Sequence, residues 1–233
     1  MKSKKSKKPV KPGKDDSYLK RFWYYLWHDN SLGSYALNFI LAFILIKYIF
    51  FPGLGFILGN DIPIVAVVSG SMEHRIVNQN ICGNTVERES SWTLPLDTWW
   101  DYCGEYYETE LGITYDQFED FPFTNGLNKG DVVVLKYREI SEIEIGDILV
   151  FVPGDLQWYS QNGPVIHRVV NIFQEDDEIF FQTKGDQNDR VFTHRNFENR
   201  ISEDQIIAVA LFRVPVLGYG RIFLDSVIGL FIR

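Results

Sequence analysis

Apolar residues are most frequent near the start of the sequence. Residues 35–58 read YALNFILAFILIKYIFFPGLGFIL, a run in which the only charged side chain is that of Lys47. A helix of this length crosses about 30 Å of hydrocarbon, and the aromatic and basic segment before it suits a membrane–water interface. The pattern predicts an interfacial segment and transmembrane anchor over residues 18–59, in which Pro52 kinks the helix or marks its end. A cleaved signal peptide, the alternative, has a shorter apolar core of about 7–15 residues.

Short apolar runs rich in β-branched residues dominate the second half of the chain. They occupy residues 131–137, 147–152, 164–173, 178–183 and 206–214. Several short strands at close spacing, with no amphipathic helix between them, are typical of an antiparallel β domain. The expected fold class is mainly β, with a barrel-like domain over residues 60–217 that follows the N-terminal helix.

One further apolar run, residues 62–68, ends abruptly in a small polar turn, Ser-Gly-Ser-Met. Valine and isoleucine suit a buried strand, and glycine allows another chain to approach the backbone closely. A strand that delivers Ser71 into such a turn can present it as a nucleophile. An ordinary strand followed by a Ser-Gly turn has the same pattern, so this run alone does not decide between the two.

Residues 74–128 differ in character and are interpreted as an insertion on the β core. They contain three tryptophans, many acidic residues, and both cysteines of the chain, Cys82 and Cys103. Two cysteines are too few for a structural zinc site, which needs about four ligands. Outside the cytoplasm, a disulfide closing a loop of roughly 20 residues is favoured over two unpaired thiols.

Charge is distributed unevenly along the chain. Residues 1–59 carry ten Lys+Arg against three Asp+Glu, whereas residues 60–233 carry thirteen against twenty-eight. An acidic body argues against a nucleic-acid partner. Residues 1–17 are predicted to form a disordered basic tail in the cytoplasm, and the positive-inside rule then places the β domain on the other side of the membrane. Residues 218–233 form an apolar tail that is predicted to associate with the membrane.

Three residues of the body supply the parts of a nucleophilic catalyst. These are Ser71, His167 in the strand-like run VIHRVV, and Asp186 after a glycine turn. Each residue alone has an ordinary structural explanation. Together they provide one nucleophile, one base and one acid, which a fold can bring into contact from distant positions.

The segments SGSME, GDILVF, VIHRVV and TKGDQN, in this order, resemble the sequence boxes of type I signal peptidases. The resemblance is closer to the archaeal and endoplasmic-reticulum branch, because His167 stands where the bacterial branch has a lysine base. It implies that Ser71 attacks the scissile carbonyl, that His167 takes its proton, and that Asp186 orients the imidazole. It also implies that the hydroxyl of Ser69 helps the amide of Ser71 to hold the oxyanion.

The resemblance further implies a membrane-anchored serine endopeptidase that removes signal peptides from secreted preproteins after small residues. The substrate would lie extended beside the strand formed by Pro63, Ile64, Val65, Ala66, Val67 and Val68. Preproteins, membrane lipids and further subunits or translocation machinery are the expected partners, and no metal or organic cofactor is expected. A single-pass location in the cell membrane, or in an endoplasmic-reticulum-type membrane, follows.

Two departures from the family pattern leave alternatives open. His74 stands where the family has proline, and Asp189 lies only three residues after Asp186, so either aspartate is a candidate for the acid. His74, Lys184 and Lys136 are rival bases. The alternative functions are a catalytically silent relative and a membrane-tethered β module that binds precursor or envelope proteins.

Overall fold

The computed structural model describes residues 11–13, 15–87, 89–90, 92–154, 159, 163–194 and 197–219. The chain divides into two compact units, Met1–Leu54 and Gly55–Arg233. Most of the predicted N-terminal tail (residues 1–17) and of the predicted C-terminal apolar tail (residues 218–233) lies outside the described residues.

Helix dominates the beginning of the described chain. It comprises α1 (Tyr18–His28), α2 (Leu32–Leu45), a π-helical turn (Ile46–Phe50) and α3 (Phe51–Leu58). Ser17 and Ser31 cap α1 and α2, because their hydroxyl oxygens accept backbone N–H groups that the first helical turn leaves without partners. The continuous run Leu32–Leu58 has 27 residues, and its most apolar 18-residue window has a mean hydropathy of 2.2, which makes it a candidate for a membrane span.

Pro52 does not end this helix. Proline lacks an N–H group and its ring crowds the carbonyl four residues earlier, so it disrupts a regular α-helix. Here the wider π turn Ile46–Phe50 ends two residues before Pro52 and interrupts the regular hydrogen-bond ladder there. The helix ends at Leu58, where Gly59 follows with a φ of +70°, a conformation that glycine adopts without a steric penalty.

A six-stranded antiparallel sheet forms the body of the molecule and curls into a half-barrel. Its strands are β1 (Ile64–Ala66), β4 (Val132–Lys136), β5 (Ile148–Phe151), β6 (Val165–Glu175), β7 (Glu178–Lys184) and β8 (Ile206–Val214). Their order across the sheet is β1-β4-β8-β5-β6-β7, and all pairs are antiparallel. A two-stranded ribbon, β2 (Asn80–Ile81) and β3 (Asn84–Thr85), stands apart. The prediction of a mainly β, barrel-like fold after an apolar helix is confirmed.

Both faces of the central sheet are buried. Along β5, Ile148 and Val150 belong to one apolar cluster, whereas Leu149 and Phe151 belong to another. Successive side chains of a strand point to opposite faces, so an uninterrupted apolar run such as this one indicates a strand covered on both sides. Burial on both faces therefore fixes the positions of the residues at the ends of the strands.

The insertion contains two helices, α4 (Leu96–Thr109) and α5 (Tyr115–Glu119), that the sequence analysis did not predict. Trp99, Cys103 and Tyr107 lie four residues apart on α4 and are all buried, together with Phe118 of α5. Cys82 and Cys103 form a disulfide with a Cα–Cα distance of 5.5 Å. The pairing that the sequence favoured is present, and it fastens α4 to the segment that carries the β2–β3 ribbon.

We expect the disulfide to contribute about 3 kcal/mol to the free energy of unfolding, because it closes a loop of 21 residues. Thermal unfolding of the full chain in detergent, with and without a reducing agent, measures this. Reductant should lower the midpoint of the wild type and leave the Cys82→Ser/Cys103→Ser variant unchanged. An unchanged wild-type midpoint, once thiol titration shows the bridge open, would contradict the expectation.

Candidate active site

Strand β1 leads into a turn that presents the side chain of Ser71. The backbone carbonyl of Ser71 accepts a hydrogen bond from the N–H of Gln187 at 2.8 Å, and the carbonyl of Met72 accepts one from Leu127 at 2.8 Å. Met72 itself is 1% exposed and belongs to the core. The turn is thus fixed from two sides by distant parts of the chain.

His167, near the start of β6, lies next to this turn. Its Nε2 atom is 3.0 Å from Oγ of Ser71, and its side chain is buried. Oγ of Ser69 lies 3.2 Å from Oγ of Ser71. The structure therefore brings together the three residues to which the sequence assigned the nucleophile, the base and oxyanion support.

The carboxylate next to His167 belongs to Glu198, a residue that sequence reasoning missed. Oε1 of Glu198 is in contact with Nδ1 of His167, and Glu198 is fully buried. Its Oε2 accepts the backbone N–H of Phe192, and its carbonyl accepts the N–H of Thr183 at 2.8 Å. A carboxylate at Nδ1 favours the tautomer protonated there, which leaves Nε2 to accept the proton of Ser71.

The expectation that Asp186 orients the imidazole of His167 is wrong. Its carboxylate binds Arg168 through Nε at 2.9 Å and Nη2 at 2.8 Å, His74 at 2.9 Å and the hydroxyl of Tyr107 at 3.2 Å. His167 and Arg168 are successive residues of β6, so their side chains point to opposite faces. Asp186 occupies the face of Arg168, and the carboxylate at His167 is that of Glu198.

Asp189, the alternative acid, is exposed and does not supply that carboxylate either. Its side chain forms an ion pair with Arg190 at 2.9 Å, and the two side chains are 49% and 72% exposed, respectively. An exposed pair of neighbouring residues contributes little to stability.

Arg168 is fully buried, and all five of its N–H donors are used. Two bind Asp186, and the others bind the backbone carbonyls of Pro122, Phe123 and Gly146 at 2.8–3.0 Å. Burial by itself opposes ionisation of Asp186. The charge of Arg168 and the hydrogen bonds from His74 and Arg168 outweigh burial and hold the pKa of that carboxyl well below its usual value.

His74 belongs to this second cluster and not to the Ser71 site. Its ring stacks on Trp99 with 3.9 Å between centroids, and its Nε2 faces Asp186. Nδ1 is buried and has no hydrogen-bond partner among the described residues. Burial lowers the pKa of His74, so the neutral ring donates from Nε2 to Asp186. As a rival base, His74 is engaged away from Ser71.

Neither of the two rival lysines forms a hydrogen bond with Ser71 within the described ranges. Lys184 is buried, and its Nζ donates to the carbonyls of Gly185 and Asp186 at 3.1 and 3.3 Å. Burial lowers the pKa of Lys184 to about 8. Lys136 is exposed at the end of β4. Within the described part of the chain, His167 is the base in hydrogen-bond contact with Ser71.

Gly185 allows the backbone to pass directly beneath the Ser71–His167 pair. A Cβ atom at this position would lie 2.9 Å from Nε2 of His167 and 2.9 Å from the carbonyl oxygen of Ser71. Both distances are shorter than normal contacts, so any side chain here would push the imidazole or the nucleophile turn out of place. The glycine of the TKGDQN segment is therefore a requirement of the site.

A cavity of about 360 Å³ opens between the end of β1 and the start of β6. Its lining includes Ser71 and His167 and is otherwise largely apolar, with Ala66, Val68, Pro164 and Ile166. Val65 and Val67 belong to the core, and Ala66, Val67 and Val68 at the end of the predicted substrate strand line the cavity. β1 is an edge strand of the sheet, and such an edge can pair with an added strand.

No group of three or more His, Cys, Asp or Glu residues that could hold a metal ion occurs within the described ranges.

Comparison with known proteins identifies a distant relative. No protein-family model matches the chain. The signal peptidase complex catalytic subunit SEC11 of Colletotrichum graminicola is 32% identical over 102 residues, which are 42% of this chain and 56% of that protein. The chain thus spans about half the length of this curated relative. The match supports, at the level of the family, the resemblance to signal peptidases that the motifs indicate.

The two aspartates should differ sharply in their effect on stability. Asp186→Asn leaves the buried charge of Arg168 without its partner and should lower the free energy of unfolding by about 3–5 kcal/mol. Asp189→Asn removes an exposed partner and should cost less than about 1 kcal/mol. Because the pKa of Asp186 is lowered in the folded protein, its contribution is fully present above the usual value of 3.8 and is lost progressively as the pH falls from there toward the lowered pKa.

Chemical unfolding of the full chain in detergent at pH 7 and at about pH 3 measures both effects. The difference in the free energy of unfolding between wild type and Asp186→Asn should be large at pH 7 and smaller at about pH 3. Equal costs for Asp186→Asn and Asp189→Asn at pH 7 would contradict this account of the cluster.

Proposed function

We propose that this chain is a membrane-anchored serine endopeptidase that removes signal peptides from preproteins. The observation that carries the proposal is the contact chain from Oγ of Ser71 through His167 to the buried Glu198. A hydroxyl, an imidazole and a carboxylate in this order form the arrangement that activates a serine for attack on a carbonyl. The distant similarity to a signal peptidase catalytic subunit points to the same activity.

The residues take the following roles in peptide hydrolysis. Nε2 of His167 accepts the hydroxyl proton as Oγ of Ser71 bonds to the scissile carbonyl carbon, and Glu198 stabilises the resulting imidazolium. The N–H of Ser71 and the hydroxyl of Ser69 hold the oxyanion. The C–N bond then breaks, and His167 gives its proton to the leaving amine. Water, deprotonated by His167, hydrolyses the ester and releases Ser71.

The cavity beside Ser71 suits a substrate with small side chains before the scissile bond. An extended peptide can pair with the edge of β1 and direct alternate side chains toward Ala66, Val68 and Ile166. The volume of about 360 Å³ is shared by several substrate positions, which favours small residues next to the bond that is cleaved.

The N-terminal helix is assigned to the membrane in this proposal. Leu32–Leu58 is long and apolar enough to span a bilayer, and the lysine-rich residues before it favour a cytoplasmic N-terminus. The catalytic domain then lies on the opposite side, where the end of a translocated signal sequence emerges. Preproteins are the substrates, and further subunits or translocation components are candidate partners.

Cleavage of a preprotein by the full chain in liposomes tests the proposal. Ser71→Ala and His167→Ala should each lower kcat by at least about 10³-fold, because each removes a member of one catalytic unit. Ser141→Ala and His28→Ala, which change exposed residues of the same types outside the site, should cleave as the wild type does.

Two results would count against the proposal. Equal cleavage by wild type, Ser71→Ala and His167→Ala would show that the activity does not arise here. No cleavage by the wild type, with preprotein still bound, would favour a catalytically silent binding module.

Glu198→Gln should lower kcat by about 10²–10⁴-fold with little change in KM, because the neutral amide cannot stabilise the imidazolium that forms during the reaction. Glu198→Asp should restore part of the rate, since it keeps the charge. Steady-state kinetics measures both, with Glu142→Gln at an exposed position as the control. A change confined to KM would contradict the role given to Glu198.

A further inference from the structure

A second groove shares His167 with the cavity at Ser71 but is not lined by Ser71. It has a volume of about 890 Å³, and its lining includes His167, Gln187, Asn188, Phe192 and His194. His167 and Phe197 line both this groove and the cavity at Ser71. The two depressions therefore meet at the imidazole.

The chemistry of the proposed reaction gives the two depressions different halves of the substrate. The acyl half bonds to Ser71 and occupies the cavity beside β1. The leaving nitrogen takes its proton from Nε2 of His167, so the chain after the scissile bond must begin within hydrogen-bond reach of the imidazole. The second groove is then the surface that the leaving half meets next.

The groove carries an exposed aromatic surface beside its polar floor. Phe192 is 51% exposed. Its ring packs edge-to-face on Phe197, with 5.5 Å between centroids, and lies 6.2 Å from the ring of His194. The amides of Gln187 and Asn188 line the same groove. An apolar side chain placed on Phe192 would remove apolar surface from water on both partners.

The aromatic surface is joined to the carboxylate of Glu198 through the backbone. The N–H of Phe192 donates to the carboxylate of Glu198, and the N–H of Glu198 donates to the carbonyl of Phe192 at 3.1 Å. The position of Phe192 is thus fixed relative to Glu198, and through Glu198 to His167. A side chain bound at Phe192 lies at a defined place relative to the scissile bond.

We propose that this groove binds the leaving half of the substrate, which is the first few residues of the mature polypeptide. The exposed ring of Phe192 gives the groove a preference for an apolar side chain in the leaving half of the substrate. The inference rests on the proposed function. It adds a specificity determinant for residues after the scissile bond to the one that the cavity beside Ser71 provides for residues before that bond.

Peptides that are identical up to the scissile bond test the inference. In a serine and glycine background, leucine is placed at each of the first four leaving positions in turn. For the wild-type full chain in detergent, leucine at one of these positions should raise kcat/KM by about 5–10-fold over serine. Phe192→Ala should reduce that ratio to below about twofold, and Phe192→Leu should retain most of it. Ile179→Ala, a similar truncation of an exposed residue on β7, should leave the ratio unchanged.

Binding of the leaving peptide separates failure of the groove from failure of the proposed function. A fluorescent leaving-half peptide with leucine should bind the Ser71→Ala chain at least about fivefold more tightly than its serine counterpart. Addition of Phe192→Ala should abolish the difference, whether or not the wild type cleaves any peptide. Equal binding of both peptides to the Ser71→Ala chain, or an undiminished leucine preference in Phe192→Ala, would overturn the inference. Wild-type cleavage of none of the peptides would instead contradict the proposed function.

Discussion

The buried ion pair between Arg168 and Asp186 is the interaction on which the site depends. Arg168 binds three backbone carbonyls as well as Asp186, so one side chain fixes several segments around β6. Asp186 belongs to the loop whose Gln187 holds the carbonyl of Ser71. A buried pair of this kind gains stability only when its remaining donors and acceptors are satisfied. The donors and acceptors of Arg168 and Asp186 are satisfied. The distance between Ser71 and His167 therefore follows from contacts on the opposite face of β6.

The insertion is part of this support. His74 immediately follows the nucleophile turn, donates to Asp186 and stacks on Trp99 of α4. Sγ of Cys82 lies 3.4 Å from the carbonyl oxygen of Asp186, so the disulfide fastens α4 beside the same loop. His74, which stands where the family has proline, is therefore held by Asp186 and Trp99. The aromatic cluster of the insertion and the loop that carries Asp186 and Gln187 are packed as one unit.

Particular residues show why the sequence predicted the fold better than the site. The β-branched runs that became β4 to β8 carry their own signal, because strands buried on both faces are continuously apolar. Helix α4 was missed although Trp99, Cys103 and Tyr107 repeat at intervals of four, since a mainly aromatic stripe within an acidic segment is a weak helical signal. Ser71 and His167 were found through their motifs. Glu198 was missed because its contact with β6 is tertiary, and no local pattern distinguishes it from neighbouring acids.

The central claim is that His167, supported by Glu198, can take the proton of the side chain at position 71. The Ser71→Cys variant tests this without any substrate, because the two native cysteines are joined in a disulfide and the new thiol is the single reactive one. The rate of its alkylation as a function of pH gives its pKa. We expect a pKa below about 7.5 that rises toward about 8.5 when His167→Ala is added, as for other thiols paired with an imidazole. A pKa near 8.5 that His167→Ala leaves unchanged would contradict the claim.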